Sequence, residues 1–394
     1  MCKMVKCVYL IMEVKHMRPA RIVVAGYVSC DITPSFEGQG EKSGRLSDYI
    51  RPGALVEVGK ATIAPGGCVT NTGLALQFFG ADTVLMAKIG DDAFGRTLRE
   101  SYAARGAKAD FVVSPDTETS YTLAIAPPGC DRVFFADPGA NHTYRFEEID
   151  LKIIGGAGYF HFGYPTLMKR FYENGAADTV RLFKEVKRLG VVTSLDMTMV
   201  DPSSPAAKED WPSALQHLLP YVDFFTPSYE EMCALIWPDH YQMLLARTGG
   251  EDVCLHLSLR EDVEPLAERL LGLGAHAVLL KCGAAGIFLA TSPFGKMAGL
   301  GEQFADPAWG DLRLFADSYR PDRIASGTGA GDTAIAAFLY SIMHHMKPAV
   351  CLENAAATGA MNLTEYDSLS GLLPIEALRR RIDGGWERQH LIRP

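Results

Sequence analysis

Ala325-Ser326-Gly327-Thr328-Gly329-Ala330-Gly331-Asp332, running straight into Thr333-Ala334-Ile335-Ala336-Ala337-Phe338-Leu339-Tyr340, governs how the chain around it is read. It reads as a loop of small residues, then a carboxylate, then an apolar helix. With no bulky side chains, Gly329, Ala330 and Gly331 let the backbone approach a ligand closely. The first turn of the helix leaves N–H groups unpaired, with the positive end of the helix dipole behind them. An anion such as a transferring phosphoryl group suits that place. Asp332, at the same helix start, is positioned to take a proton from an attacking hydroxyl. The loop is not a Walker P-loop, because G-K-[ST] is missing. It is not a dinucleotide fingerprint either, since Asp332 fills the third glycine position.

The 394 residues, 48% hydrophobic and 22% charged, suit one large or two modest globular domains that need no disulfide support. A net charge of −9 argues against a nucleic-acid partner. Nine scattered cysteines without a C-x-x-C point to free, mostly buried thiols in a reducing compartment. Near the N-terminus the apolar run Cys7–Met12 is closed by Glu13 and Lys15, too short for a signal sequence. No apolar run reaches the roughly 20 residues of a membrane helix. Residues 1–17 are expected to be an extension, with Met17 an alternative start, and the protein cytoplasmic with no membrane partner.

From Arg21 onward, short β-rich runs alternate with helix-length amphipathic segments. Arg21–Ala25, Thr83–Lys88, Tyr159–Phe162, Val191–Leu195, Val222–Phe225 and Ala277–Leu280 read as strands. Helices are expected over Asn71–Phe79, Phe94–Arg105, Trp211–Leu218 and Glu230–Trp237, with Gly80 and Gly106 as stops for the first two. This alternation predicts an α/β fold, a doubly wound, mostly parallel sheet with helices on both faces. Ligands in such sheets bind beyond the carboxyl ends of the strands. Two stretches, about 33–63 and 111–144, look like strands and hairpins without helices. The first includes an alternating segment at Ala54–Val58, and the second contains Pro127-Pro128-Gly129. Together they are expected to form a small β-sheet lid over the site, and pairing of its exposed edge with a second copy would give a homodimer. Residues 292–321 read as a loop insertion within a single domain over 18–394.

Two separated signatures resemble the ribokinase-like, or PfkB, carbohydrate kinase family from about Arg21 to Thr364. One is Thr328-Gly-Ala-Gly-Asp332 with its helix. The other is Gly66-Gly67-x3-Asn71-x3-Ala75-x4-Gly80-Ala81, continuing through Lys88-Ile-Gly-Asp-Asp-Ala-Phe-Gly95. The resemblance implies that Asp332 is the catalytic base and that Gly329, Ala330 and Gly331 form an anion hole. It places Asp31, Gly66, Gly67, Asn71 and Asn141 around a sugar. Lys281, Gly283 and Gly286, in Lys281-Cys-Gly-Ala-Ala-Gly286, would lie along the phosphates of ATP, with Thr328 beside them. Asn354 and Ala357 would stand near adenine. Glu231 would organise Mg²⁺ through water, with Ser228 where the family motif has Asn. Ser326-Gly327 replaces an Asp-Thr, which removes a carboxylate that would help hold a monovalent cation.

The expectation is therefore an ATP-dependent kinase acting on a hydroxyl, primary by preference, of a small sugar. No residue commits the pocket to a bare polyol over a nucleobase, so a nucleoside kinase of the same fold stays open. A sugar- or nucleotide-binding sensor without turnover is the reading from another class. His161, between Phe160 and Phe162, reads as a buried strand-end residue.

Overall fold

Arg21–Gly26 forms strand β1, buried from Ile22 onward, as befits a strand covered on both faces. The computed structural model describes residues 21–36, 46–127 and 133–394. The expectations for residues 1–17, for Cys2, Cys7 and Cys130, for Pro128-Gly129 and for part of the first lid segment lie outside the described residues. The remaining strands are β2 (Ser29–Pro34), β3 (Ala61–Gly66), β4 (Asp82–Gly90), β5 (Lys108–Ser114), β6 (Tyr121–Ile125) and β7 (Val133–Asp137). They continue with β8 (Tyr159–Gly163), β9 (Val192–Asp196), β10 (Phe224–Phe225), β11 (Ala277–Cys282), β12 (Gly286–Thr291) and β13 (Arg313–Asp317).

Nine strands form one sheet in the order β13-β12-β11-β10-β9-β8-β1-β4-β5, parallel from β5 through β11 and antiparallel at β12 and β13. This is the doubly wound, mostly parallel sheet expected. Strand order reverses beside β1, whose neighbours are β4 and β8. The crevice at the carboxyl ends of β1 and β8 is thus the natural ligand position. There Gly26, Gly163 and Asp196 lie in register across β1, β8 and β9.

A second sheet of four strands, β3-β2-β6-β7, is the small lid sheet. Its composition differs from the expectation in two places. Lys108–Ser114 pairs with β4 at the edge of the main sheet, so the second lid segment starts at Tyr121 rather than near 111. Ala54–Val58 is not a strand: it finds no ladder partner among the described residues, and Leu55 is 99% exposed. Alternation alone does not make a strand where no described strand lies beside it to share a ladder. The 292–321 segment is more than a loop. It carries a short helix, Phe294–Ala298, and the edge strand β13, and it buries Phe304 and Trp309 against Phe224.

Helix boundaries follow the predicted signals closely. Cys68–Phe79 ends at left-handed Gly80, and Ala93–Ala104 starts on Asp92, whose side chain accepts from the Gly95 N–H. The six described cysteines are all free and buried. No helix among the described residues is long and apolar enough to cross a membrane.

Candidate active site

Gly329 ends the small-residue loop in the left-handed region, φ 78°, and the helix Ala330–Met343 begins at the next residue. A side chain at 329 would also meet Ser368 Cβ at 2.6 Å, so both conformation and space require glycine. The N–H groups of Gly331 and Asp332 have no main-chain acceptor among the described residues. They are the first-turn donors that the sequence pattern foretold, and Gly331 is half-buried rather than sealed.

Asp332 is 3% exposed. Asn71 Nδ2 donates to its Oδ2 at 2.9 Å, and the Tyr164 hydroxyl donates to Oδ1 and Oδ2 at 2.8 and 2.9 Å. The Thr72 hydroxyl reaches Oδ1 at 3.5 Å. Burial pushes the Asp332 carboxyl above its ordinary range, while Asn71, the Lys281 charge, Tyr164 and Thr72 all pull it back. The result is a desolvated carboxylate with a ring of donors, a suitable setting for a base.

Asn71, expected at the sugar, instead spends its amide on this carboxylate and accepts from Ser368 Oγ at 2.7 Å. The reason is helical geometry: Cys68–Phe79 packs against Ala330–Met343, which turns Asn71 and Thr72 toward Asp332. Lys281, expected along the phosphates, lies beneath the helix mouth. Its Nζ is 2.7 Å from Asp196 Oδ1, and a Cβ built on Gly331 would stand 3.6 Å from it. Burial works against the Lys281 ammonium, but the carboxylates of Asp196, Glu231 and Asp332 outweigh it and hold the group above its usual value.

Ser228 and Glu231 form a capping box at the start of helix Tyr229–Ile236. The Ser228 N–H donates to Glu231 Oε2 at 2.7 Å, and the Glu231 N–H to Ser228 Oγ at 3.2 Å. Ser228 therefore has a capping role that its sequence position alone did not reveal. Three carboxylates, Asp196, Glu231 and Asp332, thus face the one ammonium of Lys281. Burial raises all three carboxyls, that of Asp196 well above its ordinary range, and the Lys281 charge pulls each of them back. Elsewhere, Glu230, Asp252 and Cys254 bring ligand atoms within 4.8 Å of one another. There burial, with the neighbouring Cys282, Glu230 and Asp252, holds the Cys254 thiol well above its ordinary value.

On the lid side, Asp31 sits in β2 with Oδ1 accepting from Ser29 Oγ at 2.5 Å. Burial raises its carboxyl, against the hydroxyls of Ser29 and Thr122. Gly66 ends β3 directly against it: a Cβ there would lie 2.0 Å from Asp31 Oδ2. Gly67 follows as the N-terminal cap of Cys68–Phe79. Asn141 departs from its expected place at the substrate. It is 0% exposed, and its carboxamide bonds the Val28 N–H at 3.2 Å, the Val28 carbonyl at 2.8 Å and the Pro138 carbonyl at 3.1 Å. It clamps the crossing from β1 into the lid to the segment after β7.

On the opposite side, Gly283 and Gly286 shape the turn between β11 and β12, and the Thr328 N–H donates to Ser326 Oγ at 3.1 Å. Asn354 and Ala357, expected beside adenine, are both 0% exposed in helix Pro348–Asn362. Asn354 Nδ2 donates to Ser341 Oγ at 3.0 Å, a bond across the contact with helix Ala330–Met343. Close helix packing covers both.

Sequence reasoning passed over Tyr164, Thr72, Asp196 and Ser368. Tyr164 follows β8 immediately and Asp196 ends β9, so a polar residue at the carboxyl end of a buried parallel strand was the available signal. Thr72 and Ser368 carried none.

Residues 39–375 match the model of a family described as pfkB family carbohydrate kinase. An uncharacterized sugar kinase of Archaeoglobus fulgidus is 22% identical over 299 residues, 76% of this chain and 98% of its own. A probable fructokinase-4 of Arabidopsis thaliana is 26% identical over 221 residues, 51% of this chain and 66% of its own. Among solved structures, an Arabidopsis thaliana ribokinase complexed with ribose and ATP superposes with TM-score 0.66 at 19% identity, covering 92% of this chain and 98% of that one. A putative ribokinase II from E. coli, in complex with ATP and Mg²⁺, gives 0.66 at 19% identity, over 92% and 99% of the two chains.

Proposed function

Because the chain belongs to the pfkB family of carbohydrate kinases, we propose that it transfers the γ-phosphoryl group of ATP to a hydroxyl, primary by preference, of a small sugar, with Asp332 as the base. The observation that carries this is the Asp332 carboxylate beside the unpaired N–H groups of Gly331 and its own residue at one helix mouth.

The sugar oxygen attacks the γ-phosphorus, its proton passes to the Asp332 carboxylate, and the bond to the β-phosphate oxygen breaks with its electron pair leaving on ADP. Gly329, Ala330 and Gly331 line the anion hole, where the amides and helix dipole stabilise charge on the moving group. Lys281 adds a buried positive charge beneath them. Asp31, with Gly66 and Gly67 allowing close approach, holds the sugar under the lid, and Asn141 sets the lid crossing. Asn71 orients the base. Gly283, Gly286 and Thr328 border the phosphates, while Asn354 and Ala357 shape the helix pair behind the nucleotide. Mg²⁺ carried by ATP would neutralise phosphate charge, and Glu231 would orient its waters. Closure of the lid excludes water and limits ATP hydrolysis. Ile63 on β3 and Phe135 on β7 are each more than half exposed, which supports a homodimer joined at the lid sheet.

ADP release across a panel of sugars and nucleosides tests the reading. Turnover on sugars, lost by about 10²-fold or more in Asp332→Asn, is expected. Turnover on nucleosides alone would reassign the acceptor, and unchanged turnover in Asp332→Asn would remove the base.

A further inference from the structure

We infer that Tyr164 is a positioning residue for phosphoryl transfer: its phenol, fixed by the end of β8, holds the Asp332 carboxylate in place by donating to both of its oxygens. The inference rests on the reading of Asp332 as base. Three observations converge on it. The hydroxyl lies 2.8 and 2.9 Å from the two carboxylate oxygens, a bridging geometry that fixes the plane of the carboxylate as well as its place. The Tyr164 backbone is left-handed, φ 63° and ψ 41°, uncommon for a bulky residue. Its N–H donates to the Asp196 carbonyl at 3.2 Å, and Pro165 follows, so the departure from strand geometry is anchored on both sides. The neighbouring Tyr27 ring, centroid 6.4 Å away, packs against the phenol ring.

The groups facing Asp332 come from five elements. Helix Cys68–Phe79 supplies Cys68, Asn71 and Thr72, β8 leads to Tyr164, β9 supplies Asp196, β11 supplies Lys281, and helix Tyr229–Ile236 supplies Glu231. Burial, with the Asp332 and Asp196 charges, keeps the Tyr164 phenol well above its ordinary value. It therefore stays an O–H donor across the working pH range. Removing that donor leaves the neighbouring charges in place and withdraws one hydrogen bond from the ionised form of Asp332.

The pH profile of kcat/KM in Tyr164→Phe tests this directly. The ring and its packing are retained, and the acid limb is expected to move up by about one pH unit, with turnover below the limb falling about tenfold. KM for ATP should stay near that of the unaltered enzyme. Site-specific 3,5-difluorotyrosine at 164, a stronger donor of the same shape, should move the limb the other way, and it carries the test if Tyr164→Phe fails to fold. A limb unmoved in both variants overturns the inference. Asp332→Asn separates the two levels: an active Asn variant sinks the base itself, whereas an inactive one with an unmoved limb in the Tyr164 variants sinks only the role of Tyr164.

Discussion

At the scale of residues, the buried Asp196–Lys281 pair couples stability to the site. Both partners are withdrawn from water, with side-chain exposures of 2% and 13%, and the 2.7 Å contact is the compensation for that desolvation. Breaking such a pair from one side strands a buried charge, at a cost of about 3–5 kcal/mol, whereas removing both charges together is often neutral. Lys281→Met is therefore expected to lose about that much stability, and Lys281→Met with Asp196→Asn to recover most of it, as measured by urea unfolding. Turnover should not return in the double variant, because Lys281 also lies beneath Gly331, part of the proposed anion hole. An active, stable double variant would show the pair to be structural alone. Sequence reading found Lys281 but not its partner Asp196. Its partner is 85 residues away, and nothing local to either residue announces the contact.

At the scale of elements, the lid sheet is the part proposed to enclose the sugar. Strands β2 and β3 rise from the ends of β1 and the 46–60 segment, and their pairing, Ser29 opposite Gly66 and Asp31 opposite Ala64, brings the Asp31 carboxylate diagonally onto Gly66. Edge strand β7 leaves Phe135 55% exposed, and Ile63 on β3 is 54% exposed. An isolated apolar sheet of this kind is normally covered. Phe135→Lys combined with Ile63→Lys is expected to lower the mass in sedimentation equilibrium from dimer toward monomer, with the melting temperature of the chain nearly unchanged. A monomeric unaltered protein at micromolar concentration would sink the lid-mediated dimer. The lid was legible in part, because Ser120–Ile125 and Arg132–Phe135 read as β-rich runs on either side of Pro127-Pro128-Gly129. Lys108–Ser114 has a similar composition but joins the main sheet, and strand composition does not say which of two sheets will supply the ladder.

Across the whole molecule, the buried centre of the main sheet ties acid stability to one histidine. His161 is 0% exposed, its Nδ1 lies 2.9 Å from Ser194 Oγ, and burial, aided by the Lys281 charge, lowers its pKa to about 3. The unfolded chain protonates this side chain near its ordinary value of about 6.5, the folded chain only near 3. Below about pH 6.5 the unfolded state thus binds more protons, and the stability that neutral His161 contributes falls as pH drops through that window. Between pH 6.5 and 5 the loss is about 2 kcal/mol, and His161→Asn should flatten the pH dependence of urea unfolding by about that amount. Equal slopes in both proteins would show that His161 does not control acid stability. Most strands of the main sheet and the helices between them, the glycine loop with Asp332, and the buried character of His161 and the six described cysteines were determined by the sequence. They depend on local periodicity, backbone freedom and hydropathy, which neighbouring residues encode. The tertiary structure alone decided that Asn71, Thr72 and Tyr164 converge on Asp332, that Lys281 pairs with Asp196, and that Asn141 and Asn354 turn inward. Those contacts join segments that meet only when the sheet closes and its helices dock, and a donor's partner is fixed by that packing rather than by the residues beside it.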